Sequence, residues 1–468
     1  MTSWTLHARE LDHPVDTERA FANLFGASRW AFWLDSSLVA APARYSLLGD
    51  TSGPYGEVLT ARVREDHAET IFDQLERRLA ERQVDLPPGL PPELACGYVG
   101  YLGYELKAYD GAATRHHADL PDAVWLAATR YVVVDHVGGR TWVLELTARG
   151  ERPTWIEAAT DRLRDLTHGP GLAAPPAPPT PPSDPPGDLD PERWLVRSRD
   201  RYLRDVESCL ARLRAGESYE ICLTNTVDLP YTGDPFPLYR RLRGINPAPY
   251  AAYLRLGDAH VLSASPERFL SVDAEGYAES RPIKGTAARD DDPGRDGVLR
   301  KELLTSTKAQ AENLMIVDLL RNDLGRVCEP GTISVPAFLA VESYATVHTL
   351  VSTVRGRLRD GVSAVRAARA CFPPGSMTGA PKLRTMEILD GLETRARGIY
   401  SGALGFFGLR GTADLSVVIR TAVLHRGRLT IGAGGAIVLD SDPVEEYDEM
   451  VLKAAVPLRA VAAERRGT

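Results

Sequence analysis

Hydrophobic positions along this chain change their period repeatedly, and the changes mark out its elements. Segment 123–146, AVWLAATRYVVVDHVGGRTWVLEL, is almost continuously apolar and rich in β-branched residues, which predicts two strands joined by a hairpin at Gly138 and Gly139. Short apolar runs at 32–34 and 45–48, bounded by turn residues, predict further strands. Beyond 190, helical spacing holds over 194–215 and stops at Gly216, a helix-ending residue. Strand-like runs follow at 221–229, 250–257, 259–265, 268–273, 348–358, 400–409, 415–424 and 428–439. Between 300 and 323 a long helix is predicted, closing at Gly325; its LMIVDLL portion is apolar around most of its circumference, so it belongs in the interior. A last helix starts after Asp442 with Pro443 in its first turn. Strands and helices interleaved through hairpin-like joints favour an α+β fold with antiparallel sheets over a doubly wound parallel one.

The pattern lapses once. Segment 170–187, PGLAAPPAPPTPPSDPPG, holds nine of the 34 prolines and reads as a polyproline II spacer, about 50 Å long at ~3 Å per residue. It divides the chain into an N-terminal region, 1–168, a Pro-rich linker, 169–190, and a larger unit, 191–462. Across 468 residues the net charge is −8, which argues against a nucleic-acid or anionic-membrane surface. No apolar run approaches the roughly 18 residues of a spanning helix, and the first residues lack the apolar core of a secretory leader. Five scattered cysteines exclude a disulfide framework or thiolate zinc site and lead us to expect a reducing, cytoplasmic setting.

Several polar residues stand where chemistry is plausible. Glu446, Glu449 and Lys453 lie at i, i+3 and i+7 and share one helix face, which by itself reads as a solvated face with a Glu449–Lys453 pair. Just upstream, GAGGAIVLDSDP is a glycine-rich strand end whose N–H groups suit an anion. Two carboxylates beside such a loop suit Mg²⁺ that also holds a substrate anion. Glu312, at the edge of the apolar helix, is costly unless metal-bound or paired, for instance with Arg321. Lys284, in SRPIKGTAAR, has no local carboxylate, and in an apolar pocket it would be pushed toward the neutral, nucleophilic amine; otherwise it is a surface lysine at a strand end. Glu267 is a candidate general acid or base, and Arg420 a fork for a substrate carboxylate. GSMTGAPK (375–382) is not a phosphate loop, because Ala380–Pro381 precedes its lysine, although its Gly/Pro-rich turn into a helix at Pro381 suits a substrate-facing backbone.

Together, SASPERF, RPIKGT, AENLMIVDLLRNDLGRV, LVSTVRG, PPGSMTGAPKLRTMEILDGLE, YSGALGFF, VVIRTA and GAGGAIVLDSDPVEEYDEMVLKA resemble the chorismate-utilising enzymes, the group containing component I of anthranilate synthase and of aminodeoxychorismate synthase. The resemblance implies an α+β fold like that of anthranilate synthase component I, two largely antiparallel sheets packed together and flanked by helices. It implies that Glu312 and Glu446 bind Mg²⁺ with Glu449 beside it, the metal holding the ring carboxylate of chorismate. Lys453, Gly434 and Gly435 would sit at that carboxylate, Arg420 and Tyr400 at the enolpyruvyl side, Thr286 along the ring, and Glu267 at the C4 hydroxyl. FWLDSS and ARYSLLGD resemble the family's tryptophan pocket, implying Asp35, Ser36, Tyr45 and Ser46.

Three positions bear on which reaction is expected. Lys284 stands where anthranilate synthases carry alanine, and the resemblance implies that it attacks C2 as the C4 hydroxyl departs. Glu220 replaces the lysine with which relatives activate water. His348 is one residue earlier than the histidine of pyruvate-eliminating members, which in a strand turns it to the opposite face. Apart from these three, Ala309 stands where relatives often have an acid, in the outer shell of the implied metal. The expectation is therefore amination of chorismate by ammonia to 4-amino-4-deoxychorismate, for p-aminobenzoate, folate or a related secondary product. No glutaminase segment is recognisable, so a separate glutamine amidotransferase subunit is expected to supply the ammonia. The alternatives are anthranilate synthase component I, a tryptophan-binding module without turnover, and a pyridoxal lysine enzyme.

Overall fold

Both halves of the chain contribute strands to the same two sheets. The computed structural model describes residues 3–38, 43–65, 68–168, 190–290, 292–343 and 347–467; the Pro-rich segment 169–189 lies outside them. An 11-stranded sheet runs in the order Trp4–Leu11, Arg140–Ala148, Arg130–Asp135, Tyr45–Asp50, Trp30–Asp35, Tyr250–Leu256, Ala259–Ser265, Thr421–His425, Arg428–Ile437, Glu220–Pro230 and Gly379–Ala380. A 10-stranded sheet runs Ile283–Ala288, Val347–Arg357, Tyr277–Arg281, Arg268–Val272, Ala413–Val417, Ala403–Gly408, Cys96–Leu102, Ala123–Ala127 and Val58–Ala61, with Ser334–Ser343 also on Val347–Arg357. The pairings of the described residues are antiparallel.

Between the sheets lies one apolar layer, in which Phe32, Leu47, Leu144 and Val261 of the larger sheet meet Val99, Tyr101, Leu126 and Leu404 of the smaller. Helices Arg199–Arg214, Pro235–Ile245 and Pro443–Gly467 cover the larger sheet, burying Tyr202, Leu238 and Met450 against Leu223, Tyr253 and Ile431. Helices Thr307–Gly325 and Ala364–Cys371 cover the smaller one, with Ile316, Leu320 and Val365 against Leu270, Val354 and Leu415. Among the described residues no helix is long and apolar enough to cross a membrane.

The structure departs from the sequence reading in four places. Segment 123–146 forms three strands, because the chain leaves the smaller sheet after Ala127 and enters the larger at Arg130. A continuous apolar run cannot show that neighbouring residues serve different sheets. The predicted helix over 300–323 is two, Pro293–Thr305 and Thr307–Gly325, broken at Ser306, whose hydroxyl accepts from the N–H of Ala309 at 3.3 Å. The helix expected from 194 begins at Arg199 after a single 3₁₀ turn at Pro191–Trp194. The last helix runs on past Pro457 to Gly467.

One buried cation joins the segments that build the site. The Arg397 guanidinium donates to Glu393 Oε1 and Oε2 at 2.7 and 2.8 Å, to the carbonyls of Met377 at 2.7 Å and Cys222 at 2.8 Å, and to Ser401 Oγ at 3.3 Å. Glu393 in turn accepts from the N–H and hydroxyl of Thr224, and Glu105 accepts from the N–H groups of Arg397 and Gly398. Arg397→Met would leave Glu393 buried without its cation and strand two carbonyls. We expect a stability loss of about 3–5 kcal/mol, read as a lowered midpoint in denaturant unfolding at neutral pH; an unchanged midpoint would exclude this role.

Candidate active site

Two sheet edges meet where the candidate residues gather. Glu220 starts an inner strand of the larger sheet, opposite Ala380, and Lys284 lies on the edge strand Ile283–Ala288 of the smaller one. That edge strand slips register between Ile283 and Thr286, and Gly285 has φ 90°. A Cβ at Gly285 would come within 2.9 Å of the Ala309 Cβ and 3.0 Å of Leu303 Cδ1, so glycine serves both the φ and the close packing. Lys284, 9% exposed, donates from Nζ to Oε1 of Glu220, 1% exposed, at 2.6 Å. The expectation of a neutral amine in an apolar pocket is thereby corrected. Burial alone would lower the lysine pKa, but the charges of Glu220 and Glu312 and the hydrogen bond to Glu220 raise it above its ordinary value, so Lys284 rests as an ammonium. The partner comes from a strand 64 residues away, which no local reading of RPIKGT reveals.

Glu267 is buried beside this pair. Its Oε1 accepts from the Ser376 hydroxyl at 2.8 Å, and its backbone is held by Ser265 and Val417. Burial pushes its carboxyl up to about 7, against the opposing pull of Ser376, Lys284, Arg420 and Lys453. At neutral pH it can therefore give or take a proton. Ser376 belongs to the GSMTGAPK turn, from which the sequence pointed only to backbone. In the same turn Lys382 donates to Asp323 at 2.6 Å and to the carbonyls of Cys371 and Pro373, a bracing role consistent with its rejection as a phosphate loop. Arg420 takes φ 50°, an uncommon conformation for a side-chain-bearing residue. No carboxylate of the described residues pairs with its guanidinium. Burial draws its pKa down and Glu267 opposes this.

On the far wall, Glu446 is buried and accepts from Ser441 Oγ at 2.6 Å and Lys308 Nζ at 3.1 Å. A Cβ on Gly435 would lie 3.0 Å from Glu446 Oε2, so the glycine makes room for the carboxylate. Gly434 and Gly435 sit inside the ladder with Glu220–Pro230, opposite Thr224 and Leu223, rather than at a free strand end. Lys453 donates to the Gly434 carbonyl at 3.0 Å and pairs with Glu449 at 2.6 Å. Glu312 does not pair with Arg321, which turns to Asp318 instead; burial raises its pKa, opposed by Lys284 and reinforced by Glu220. Among the described residues no three acids converge closely enough to hold a metal as they stand. The donor set nevertheless fits a hard cation: Glu446, Glu312 and Glu449 all act on the single ammonium of Lys308, which stands in for one.

Other candidates are more dispersed. The Tyr400 ring is buried flat against Gly432, where a Cβ would fall 2.1 Å from Tyr400 Cγ. Thr286 is exposed on the edge strand. His348 is buried between Ser343 Oγ at 2.7 Å and Asp296 Oδ1 at 3.0 Å, a bracing position. Asp35, Ser36 and Tyr45 border a cavity of about 570 Å³ between the sheets. There Asp35 accepts from Arg243 Nε at 2.5 Å, while Ser46 lies behind, bonded to His136 at 2.8 Å.

Residues 40–459 match the chorismate binding enzyme family. An aminodeoxychorismate synthase of Streptomyces pristinaespiralis is 47% identical, the alignment covering 99% of this chain and 66% of that protein. One of Streptomyces griseus is 45% identical over 97% of this chain and 64% of that protein. The chain thus spans slightly less than two thirds of the length of these relatives. Among solved structures, anthranilate synthase component I from Streptococcus pneumoniae TIGR4 superposes with a TM-score of 0.73 at 29% identity, covering 90% of this chain and 93% of that one. The two-sheet α+β architecture predicted from sequence is this fold.

The Glu267 environment has a measurable consequence. Its folded pKa of about 7 exceeds the ordinary 4.5, so across that window the folded chain keeps a proton that the unfolded chain has released. Stability therefore falls as pH rises through the window, by about 3 kcal/mol in all. Glu267→Gln keeps the shape and removes the titration. It is expected to raise the thermal midpoint at pH 8 and leave it unchanged at pH 4; equal shifts at both would show that the carboxyl is not perturbed.

Proposed function

The chain belongs to the chorismate binding enzymes, and we propose that it converts chorismate and ammonia to 4-amino-4-deoxychorismate. The observation that carries this reading is a buried lysine, Lys284, facing a site that also holds a carboxyl poised near neutrality, Glu267. A nucleophile and a proton donor close to one another suit displacement of a hydroxyl from an allylic ring. The 47% identity to an aminodeoxychorismate synthase, against 39% to an anthranilate synthase component 1 of Streptomyces coelicolor, supports the same choice.

In this mechanism Arg420 and Tyr400 receive the enolpyruvyl side, Lys453 and the Gly434–Gly435 ladder the ring carboxylate, and Thr286 borders the ring. Glu312, Glu446 and Glu449 would hold Mg²⁺, which neutralises that carboxylate and fixes the ring. Lys284, once deprotonated, forms an N–C bond at C2. The two ring double bonds each shift by one position, the C4–O bond breaks, and Glu267 gives its proton so that water departs. Ammonia then bonds to C4, the double bonds shift back, and the C2–N bond to Lys284 breaks. Glu267 recovers a proton from the new ammonium. Net, chorismate and ammonia give the aminated ring and water.

The ammonia comes from a glutamine amidotransferase partner. A glutaminase thiolate needs an accessible cysteine of lowered pKa, whereas all five cysteines here are buried and burial raises each thiol. Five free thiols also accord with a cytoplasmic location.

Incubation of the protein with chorismate, Mg²⁺ and an ammonium salt, followed by mass spectrometry, is expected to give the C4-aminated ring with its enolpyruvyl group intact. Lys284→Ala should lower its formation roughly 100-fold or more; undiminished product would defeat the covalent role, and fluorescent anthranilate with released pyruvate would defeat the whole reading. Chelation with EDTA is expected to stop turnover and added Mg²⁺ to restore it. Activity that survives exhaustive chelation would exclude the metal.

A further inference from the structure

The reaction just described starts from a lysine that can attack, yet Lys284 rests as an ammonium and has no lone pair to give. Something must take its proton. Glu220 is the only residue among those described that hydrogen-bonds the Lys284 ammonium, at 2.6 Å, and it is 1% exposed. Its second oxygen, Oε2, is buried with no hydrogen-bond partner among the described residues. Buried carboxylates ordinarily have both oxygens satisfied, and an oxygen without a donor leaves part of the anionic charge uncompensated.

We infer that Glu220 is the base that takes the Lys284 proton at the moment of attack and returns it when the lysine is expelled. This rests on the covalent role proposed above. The step balances within the pair. One N–H bond of the ammonium breaks and an O–H bond forms on Glu220, leaving a neutral amine and a neutral acid. The freed lone pair makes the bond to C2, and the adduct nitrogen carries the positive charge. When C2–N breaks, the amine departs neutral and takes its proton back from Glu220. No atom needs to move far, because donor and acceptor are already in contact.

Other titratable groups face the pair. Cys222 lies on the strand of Glu220, Glu312 faces the pair from helix Thr307–Gly325, and Glu267 and the Glu449–Lys453 pair act on the same space from the opposite side. Lys284 forms no ion pair with Glu312, Glu446 or Glu449 among the described residues; the last two are engaged by Lys308 and Lys453. Glu220 is thus the one acceptor in contact with the ammonium among the described residues, and the Lys308 and Lys453 pairs are a separate set of contacts.

A brace and a base respond differently to pH. With Glu220 present, the ammonium gives its proton to a carboxylate already in contact with it, so attack does not wait for solvent to deprotonate the lysine. With Glu220→Gln, turnover requires a lysine already deprotonated by solvent, so an acid limb is expected at the Lys284 pKa. The ratio of the Glu220→Gln rate to the unaltered rate, at saturating chorismate and ammonium, should fall about tenfold for each pH unit below that pKa and climb toward one above it. The Glu267 limb is common to both proteins and cancels in the ratio. A ratio independent of pH would show that Glu220 merely positions the lysine and would overturn the inference. Glu220→Asp keeps a carboxylate with a shorter reach; a lower rate with a flat ratio is expected, and a ratio that falls with acidity as for glutamine would also overturn it. Should Glu220→Gln not fold, the aspartate variant still decides. Lys284→Ala in the same assay separates the two levels: if it remains active, the covalent reading fails whatever Glu220 does. If it is inactive while the Glu220→Gln ratio is flat, only the present inference fails.

Discussion

A charge pair buried where two sheet edges meet sets the terms for everything around it. Lys284 and Glu220 come from different sheets and touch at 2.6 Å. Desolvating two such ions costs several kcal/mol each, and their attraction seldom returns more than this. The pair is therefore weak as a stabiliser. It also demands a rigid frame, since a displacement of an ångström at either edge would leave two ions buried and unmatched. The bulge at Gly285, pressed against Ala309, fixes one end, and the ladder between Glu220–Pro230 and Arg428–Ile437 fixes the other.

That frame continues through turns rather than through regular elements. Arg397 spans the carbonyls of Met377 and Cys222, so the turn carrying Ser376 and the strand carrying Glu220 cannot shift independently. Ser401 and Arg420 both take positive φ, at 66° and 50°, in the turns that present Tyr400 and the Arg420 guanidinium. Such conformations cost energy and persist only where the surroundings over-determine them. Tyr400 and Arg420 are thus placed by strained turns, while Glu220 and Lys284 sit on the strands of the two sheets.

How much of this could be read in advance depended on range. The acids Glu446 and Glu449 and the cation Lys453 share a helix face at i, i+3 and i+7, and the structure does put them on one wall. The two-sheet fold followed from the alternation of strands, helices and hairpin joints and from the family motifs. What stayed hidden were relations between segments. The break at Ser306 depends on a single side chain capping the second helix, and the sheet change after Ala127 leaves no mark in an apolar run. The charge state of Lys284 was misjudged for the same reason, because burial pushes a lysine toward the amine only when no carboxylate arrives from elsewhere in the fold. Ser376 escaped notice because a hydroxyl in a glycine-rich turn carries no periodic signal.

A divalent metal of the kind proposed above would change the charge balance of the site. Lys284, Lys308, Lys453 and Arg420 stand against Glu220, Glu312, Glu446 and Glu449, while burial keeps Glu267 close to half protonated at neutral pH. Four cations against four anions leave little spare positive charge, and three of the cations are already paired. A chorismate dianion entering this cavity would find only the Arg420 guanidinium without a partner among the described residues. A cation of charge two at the Glu312, Glu446 and Glu449 wall would restore neutrality for the second carboxylate and displace Lys308 from its stand-in position. The same arithmetic bears on Glu267, since an added metal charge would draw its pKa down and an added substrate carboxylate would push it up. With both present the two effects oppose each other, and a carboxyl near neutrality keeps its capacity to pass a proton in either direction.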